Sequence, residues 1–261
     1  MPLVELPPGE GARAAPLFAS FRLHRAHLGS VLAGANPGRV FVDEARSPRL
    51  ALVWPGDGFQ YLAAEGEPGP ALAELSSLLA REAKGACLEL VVDDPRLEAR
   101  LPAIFGGLSY FSVPRLLFRL PPGWKASGPG GGDEAASGAA ARGADAALSG
   151  ASGPGAPARL FRERGPSSIA VVLELGGRMA GRCRAWTWEG EAEADIFVEE
   201  ESRGHGLGAL LGREFLRYCR DEGLEPVWSC WEDREESRRL ALALGFELDR
   251  AFLVHIHDEA P

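Results

Sequence analysis

Residues 123–158 read GWKASGPGGGDEAASGAAARGADAALSGASGPGAPA, and almost nothing in them is large enough to pack. Such a stretch cannot offset the entropy of ordering its backbone, so the sequence predicts a flexible linker or insertion there. The fold must then be built in two pieces, an N-terminal region over residues 1–122 and a C-terminal region over residues 159–261. Each is near the ~100 residues that suit one domain with its own core.

The rest of the composition narrows the class. Hydrophobic residues make up 46% and charged residues 25%, as in a globular protein. The formal charge of −9 disfavours a phosphate backbone as partner, so no nucleic acid is expected. No apolar run approaches the ~20 residues that cross a bilayer, and no membrane association is expected. Arg13, Arg22, His24 and Arg25 break up any leader-like apolar stretch at the start. The four cysteines, Cys87, Cys183, Cys219 and Cys230, form no C-x-x-C pair. They read as reduced thiols in a cytoplasmic protein, with no metal site.

In the N-terminal region, GRVFVDE, RLALVWPG and FQYLAAEG predict three strands separated by turn residues, Asp43 and Glu44 among them. ALAELSSLLAREAKG has Leu72, Leu75, Leu78 and Leu79 at helical spacing and Gly85 as its stop. CLELVVDD predicts a further strand, RLEARLPAIFGG a short helix, and YFSVPRLLFRL a last strand interrupted by Pro114. His24 and His27 fall on one face of a predicted helix, with no acidic neighbour in sequence to suggest a metal.

The C-terminal region is sharper. SSIAVVLELGG, RMAGRCRAWTWEG and EAEADIFV predict three strands joined by short glycine turns, which favours an antiparallel meander. A helix follows to about Glu222, with Leu207, Leu210, Leu211, Phe215, Tyr218 and Cys219 on one face and Gly223 at its end. VWSCW is a short strand. Asp233, with Glu236 three residues on, predicts a capping box for a second helix lined by Leu240, Ala241 and Leu244. FELDRAFLVHIH gives one or two final strands. The four tryptophans Trp186, Trp188, Trp228 and Trp231 fit core packing, with a share in a cleft wall.

Between the third strand and the first of these helices lies VEEESRGHGLG, Val198–Gly208. A strand feeding a glycine-rich turn and a helix N-terminus presents backbone N–H groups at the positive end of the helix dipole. That arrangement suits an anion, above all a nucleotide pyrophosphate. Gly204, Gly206 and Ala209 satisfy the dinucleotide fingerprint, and Glu232 falls where a ribose-binding acid could sit. Against an NAD(P) site stand the five residues between Val198 and Gly204, the antiparallel pattern upstream, and the short chain remaining downstream.

The pattern V-x-x-x-x-R-G-x-G-x-G, then an amphipathic helix, a strand, a second helix and L-G-F, resembles the GNAT superfamily of acyl-CoA-dependent N-acyltransferases. The residues that carry it are Val198, Arg203, Gly204, Gly206, Gly208 and Gly245-Phe246, within about Ile169–His257. Trp228, Cys230, Ser237, Leu240, Ala241 and Leu244 look like a bacterial branch in which the GNAT domain follows a related half. The resemblance implies an α/β (α+β) fold, a mixed, largely antiparallel sheet flanked by helices, preceded by a smaller α/β half. It implies acetyl-CoA, or another acyl-CoA, as cosubstrate. The backbone of Gly204, His205, Gly206, Leu207 and Gly208 would hold the pyrophosphate, with Arg203 adding charge. Phe197 and Val198 would part from the strand after the helix, and pantetheine would pair there like an added strand. Arg234 and Ser237 complete the implied cofactor set.

Transfer to an amine needs a base on or beside the strand before the loop, and Glu193, Asp195 and Glu199 are the candidates. Alternation puts Glu193 and Asp195 on one face and Ala194, Ile196 and Val198 on the other. Glu200 and Glu201 read as loop charge. Many family members carry Asn near Arg234 and a proton-donating Tyr near Ala241, and both are absent here. The expected activity is N-acetyl transfer to an amine of a small molecule or protein, by a monomer or homodimer. The alternative is a non-catalytic acyl-CoA-binding or regulatory module.

Overall fold

The structure is a computed structural model that describes residues 3–67, 69–84, 87–124 and 158–258. Residues 125–157, nearly all of the expected linker, and the expected helix stop Gly85 lie outside them. The chain divides into two units, Met1–Arg115 with Ala251–Pro261, and Leu116–Arg250.

Unit 1 is built on the strands β1 (Val4–Glu5), β2 (Gly38–Val42), β3 (Leu50–Pro55), β4 (Gln60–Ala64) and β5 (Leu88–Val92). Neighbours up to β4 are antiparallel, while β4 and β5 are parallel, joined by the crossover helix α2 (Ala71–Glu82). Leu75, Leu78 and Leu79 of α2 pack on Leu50, Leu52, Leu62, Leu88, Leu90 and Phe105. The predicted single helix after β5 is two, α3 (Pro95–Glu98) and α4 (Leu101–Phe105), because Pro102 sits in the first turn of the second. β6 (Phe111–Arg119) runs straight through Pro114. His24 and His27 do not share a helix face. His24 takes a left-handed backbone, φ 49°, immediately before α1 (Arg25–Leu32). Both rings reach the Tyr61 hydroxyl, His27 Nδ1 at 3.0 Å and His24 Nδ1 at 3.4 Å.

Unit 2 holds β7 (Ala158–Gly165), β8 (Ser168–Leu175), β9 (Arg178–Trp188) and β10 (Glu191–Val198) as an antiparallel meander. α5 (Leu207–Glu222) then crosses to β11 (Glu225–Trp231), parallel to β10. α6 (Glu235–Ala243) and β12 (Glu247–His257) follow. The buried face of α5, Leu207, Leu210, Leu211, Phe215, Tyr218 and Cys219, covers Ile169, Val171, Leu173, Cys183, Ala185, Ala192 and Ala194. Burying a side chain the size of Phe215 is worth about 1.5–3 kcal/mol, so this face holds α5 on the sheet.

Three features depart from the sequence-based expectation. β7 is a full strand of unit 2, tied down by Arg162 to Glu214 and Asp221 of α5 and by the Tyr218 hydroxyl donating to the Glu163 carbonyl. The end of β12, Val254–His257, pairs with Leu88–Val91 of β5 and belongs to unit 1. Asp233 does not cap α6. The Glu235 amide takes the Asp233 backbone carbonyl at 3.0 Å, which places Arg234 at the N-cap with no side-chain cap.

Candidate functional site

The β9–β10 ladder runs without a register shift from Glu191↔Trp188 to Val198↔Gly181. One residue further, the Glu199 amide donates to the Ala180 carbonyl, 2.9 Å. In an antiparallel ladder the residues that bond to a given neighbour alternate. Glu193, Asp195, Phe197 and Glu199 therefore turn their N–H and C=O groups to β9. Ala194, Ile196 and Val198 turn theirs to the other side. The carbonyl of Gly190, on the same parity, accepts from the Glu225 amide of β11 at 2.7 Å, as the alternation requires.

β11 pairs with β10 from Glu191↔Glu225 to Ala194↔Trp228, and their shared ladder ends there. β10 continues to Val198 and β11 to Trp231. The main chains of Ile196 and Val198 thus face an opening between two parted parallel strands. Arg203 Nε donates to the Val198 carbonyl at 3.1 Å. What remains toward the opening is the Val198 N–H and both groups of Ile196. Phe197, expected beside Val198 in the cofactor set, turns its main chain to β9, and the residue that faces the opening together with Val198 is Ile196. The sequence could not supply that parity, because it depends on which β9 residue each β10 residue meets.

Beyond the strand, a 3-10 turn over Glu200–Ser202 closes with the Ser202 amide on the Glu199 carbonyl (2.9 Å) and the Arg203 amide on the Glu200 carbonyl (3.1 Å). Gly204 and Gly206 have φ of +80° and +75°, the left-handed region that glycine enters without strain. The Leu210 amide makes the first bond of the α5 ladder, to the Gly206 carbonyl at 3.1 Å. Among the described residues, the amides of Gly204, His205, Gly206, Leu207, Gly208 and Ala209 have no protein acceptor. They gather at a helix end carrying roughly half a positive charge. Gly208 also allows close packing, since a Cβ there would lie 3.4 Å from Leu240 Cδ2. The exposed loop and the strand opening therefore meet at Val198, one with amides that no protein group takes up and the other with an unsatisfied strand edge.

The candidate bases stand on the face away from α5. Ile196 and Val198 pack toward the α5 core, while Glu193 lies opposite Trp186 and Val227, and Asp195 opposite Arg184. Asp195 is exposed and is the first β10 residue past the end of the β11 ladder. Glu193 is half-buried within that ladder, and Glu199 half-buried just beyond the strand. Arg234 is exposed at the N-terminus of α6. The Ser237 hydroxyl accepts the Trp228 indole N–H at 3.1 Å, which ties it to a core tryptophan. Ala241 is fully buried in the same core. Cys230 is also buried there, which leaves it poorly disposed as a nucleophile.

The matching crossover of unit 1, from β4 to α2, has opposite chemistry. A cavity of about 400 Å³ beside it is lined by Asp43, Glu44, Glu65 and Glu67 against the single Arg49. The residue at the helix N-cap is Pro70, which has no N–H to offer. Among the described residues, no group of three or more His, Cys, Asp or Glu side chains is placed to hold a metal ion, and no helix is long and apolar enough to cross a membrane.

Comparison with known proteins agrees with this geometry. Residues 170–255 match the family model for GNAT acetyltransferase. The N-acetyltransferase YdfB of Bacillus subtilis, itself named as uncharacterised, is 30% identical over 81 residues, which is 31% of each chain. The match thus spans about a third of that relative. A GCN5-related N-acetyltransferase-like protein from Streptococcus suis superposes with a TM-score of 0.64 at 19% identity, over 95% of this chain and 99% of its own. A tandem GNAT protein of the clavulanic acid biosynthesis pathway does so with a TM-score of 0.58 at 15% identity, over 99% of each chain. At these identities the two structures establish the fold, a mixed, mostly antiparallel sheet with helices.

Proposed function

From the premise that residues 170–255 are a GNAT-superfamily domain, we propose that the protein transfers an acyl group, most simply acetyl, from acyl-CoA to an amine. The observation that carries this reading is the meeting, at Val198, of the parted β10–β11 edge with the free amides of Gly204–Ala209. The amides bind the diphosphate. The edge pairs with the pantetheine amides through Ile196, and the Val198 N–H donates to the thioester carbonyl. A donor so placed stabilises the developing oxyanion, a contribution on the order of 10²–10³ in rate. One of Glu193, Asp195 and Glu199 removes the amine's proton, directly or through water. No side chain at the Ala241 position can protonate the departing thiolate, so solvent fills that role.

The acceptor is an amine on a small molecule or a protein, and no nucleic acid or membrane partner is proposed. The chain acts as a monomer or homodimer in the cytoplasm, with its cysteines reduced. The buried Ala241 and the engaged Ser237 favour a second reading, a module that binds acyl-CoA without turnover. Release of free thiol from acetyl-CoA across a panel of amino acids, polyamines and aminoglycosides, with products followed by mass, separates the two. Tight binding with no turnover on any amine selects the module. Saturable NAD(P) binding that CoA does not displace would overturn both.

A further inference from the structure

The sequence-based reading gives Arg203 the task of adding positive charge near a diphosphate. Its side chain points elsewhere. Arg203 Nε donates to the Val198 carbonyl at 3.1 Å, across the turn and back to the strand end. The loop between strand and helix is thereby closed on itself. The Glu199 amide is fixed to β9 through Ala180, the Ser202 and Arg203 amides are held by the Glu199 and Glu200 carbonyls, and the Arg203 side chain ties the far end of the turn to the strand. This ring immediately precedes Gly204 and Gly206, whose backbones would otherwise be the most mobile in the loop.

We infer that Arg203 is a positioning residue: by bonding the Val198 carbonyl it holds the anion-binding loop in shape before any ligand arrives, and that bond rather than its charge sets the affinity. A second consequence concerns the strand edge. Val198 turns both its N–H and its C=O toward the opening. Were the carbonyl free, it would set a second acceptor beside the one donor meant for an incoming carbonyl. Arg203 occupies that acceptor, so Val198 presents a donor alone. The bond spans only the five residues from Val198 to Arg203, so a donor of the same reach can make it with or without a charge.

The consequence for ligand binding rests on the acyl-CoA reading above, but the bond itself can be tested without it. Gln carries its amide nitrogen the same number of bonds from the backbone as the Arg Nε, with no charge. Lys keeps the charge but has a methylene at that position. Wild type, Arg203→Gln, Arg203→Lys and Arg203→Ala would be compared as full chains, with thermal unfolding as the control for folding. Hydrogen exchange of residues 199–210 without ligand should stay within about 3-fold of wild type in Arg203→Gln and rise by about 10-fold in the Lys and Ala variants, the effect of one such bond. Acetyl-CoA affinity should follow the same order, with the loss in KM for acetyl-CoA rather than in kcat. Equal exchange in all four proteins overturns the inference. So does acetyl-CoA affinity kept by Lys and lost by Gln, which would restore the charge role. Wild type that fails to bind acetyl-CoA, with the exchange order as expected, refutes the acyl-CoA reading and leaves the positioning role in place.

Discussion

The Glu199 amide bonds the Ala180 carbonyl at 2.9 Å, and this single contact fixes which main-chain groups of β10 look into the opening beside β11. Because the ladder alternates, Val198 and Ile196 face the opening while Phe197 and Asp195 bond to β9. The same contact sends the side chains of Glu193 and Asp195 to the sheet face away from α5. The backbone that faces the opening and the candidate base are thus set by one register, on adjacent residues of one strand.

Gly206→Asp tests the loop. The left-handed backbone at Gly206 makes the substitution cost about 1–2 kcal/mol, which a folded domain tolerates. The new carboxylate would stand among the amides proposed to hold a diphosphate. Calorimetry should show acetyl-CoA affinity reduced by more than about 100-fold, a loss of over about 2.7 kcal/mol, in a protein that still unfolds cooperatively. Unchanged affinity would sever the loop from the ligand.

Binding should saturate at one acetyl-CoA per chain. The β4–α2 crossover repeats the β10–α5 connection in outline, yet Glu65, Glu67, Asp43 and Glu44 surround it and Pro70 lacks an amide. A titration with two equivalent sites would contradict this.

The three candidate bases separate by substitution. Converting the acting carboxylate to its amide, among Glu193→Gln, Asp195→Asn and Glu199→Gln, should lower kcat/KM by about 10²–10⁴ and remove the acid limb of the pH profile. Acetyl-CoA affinity should not move. If all three amides retain activity within a few-fold, the base lies elsewhere.

Ser237→Ala should act on stability and not on the cosubstrate. It strands the indole N–H of Trp228, which is 1% exposed, at a cost of about 1–3 kcal/mol. Urea unfolding measures the loss. A variant of full stability with weakened acetyl-CoA binding would return Ser237 to the cofactor set.

Unit 1 should weaken in acid. His24 is held well below the ordinary imidazole value, by burial first and then by Arg115 and His27, and burial lowers His255 as well. Both stay neutral when folded, at pH values where an unfolded histidine of pKa about 6.5 takes up a proton. Stability is therefore full above about pH 6.5 and falls below it, by up to about 1.4 kcal/mol per pH unit for each histidine, until the folded group itself titrates. Hydrogen exchange of β3 and β4 at about pH 7.5 and about pH 5.5, corrected for intrinsic rates, should show the weakening. Equal protection at both would refute it.

Residue types foretold those parts of the molecule where local pattern and tertiary packing agree. The apolar stripe from Leu207 to Cys219, the strands β8 to β10 and the glycine loop all follow from periodicity and turn chemistry. β7 escaped because an edge strand rich in Arg159, Arg162 and Arg164 shows little apolar alternation, and distant carboxylates on α5 hold it. The placement of Val254–His257 in unit 1 depends on a pairing with β5 that lies far away in sequence. Position in a motif does not reveal the protein groups that Ser237 and Arg203 bond, the Trp228 indole and the Val198 carbonyl, because these are properties of the folded chain.

The early end of the Ala194↔Trp228 ladder leaves the C-terminal unit with a seam only partly sewn. Whatever fills it completes the fabric, so occupancy and robustness become one quantity. At a hundred times its dissociation constant, a filling molecule adds about 2.7 kcal/mol to the folded state. If that molecule is an acyl-CoA, as proposed, a cell starved of activated thioesters would carry a softer, more readily degraded pool of this protein than a well-fed one.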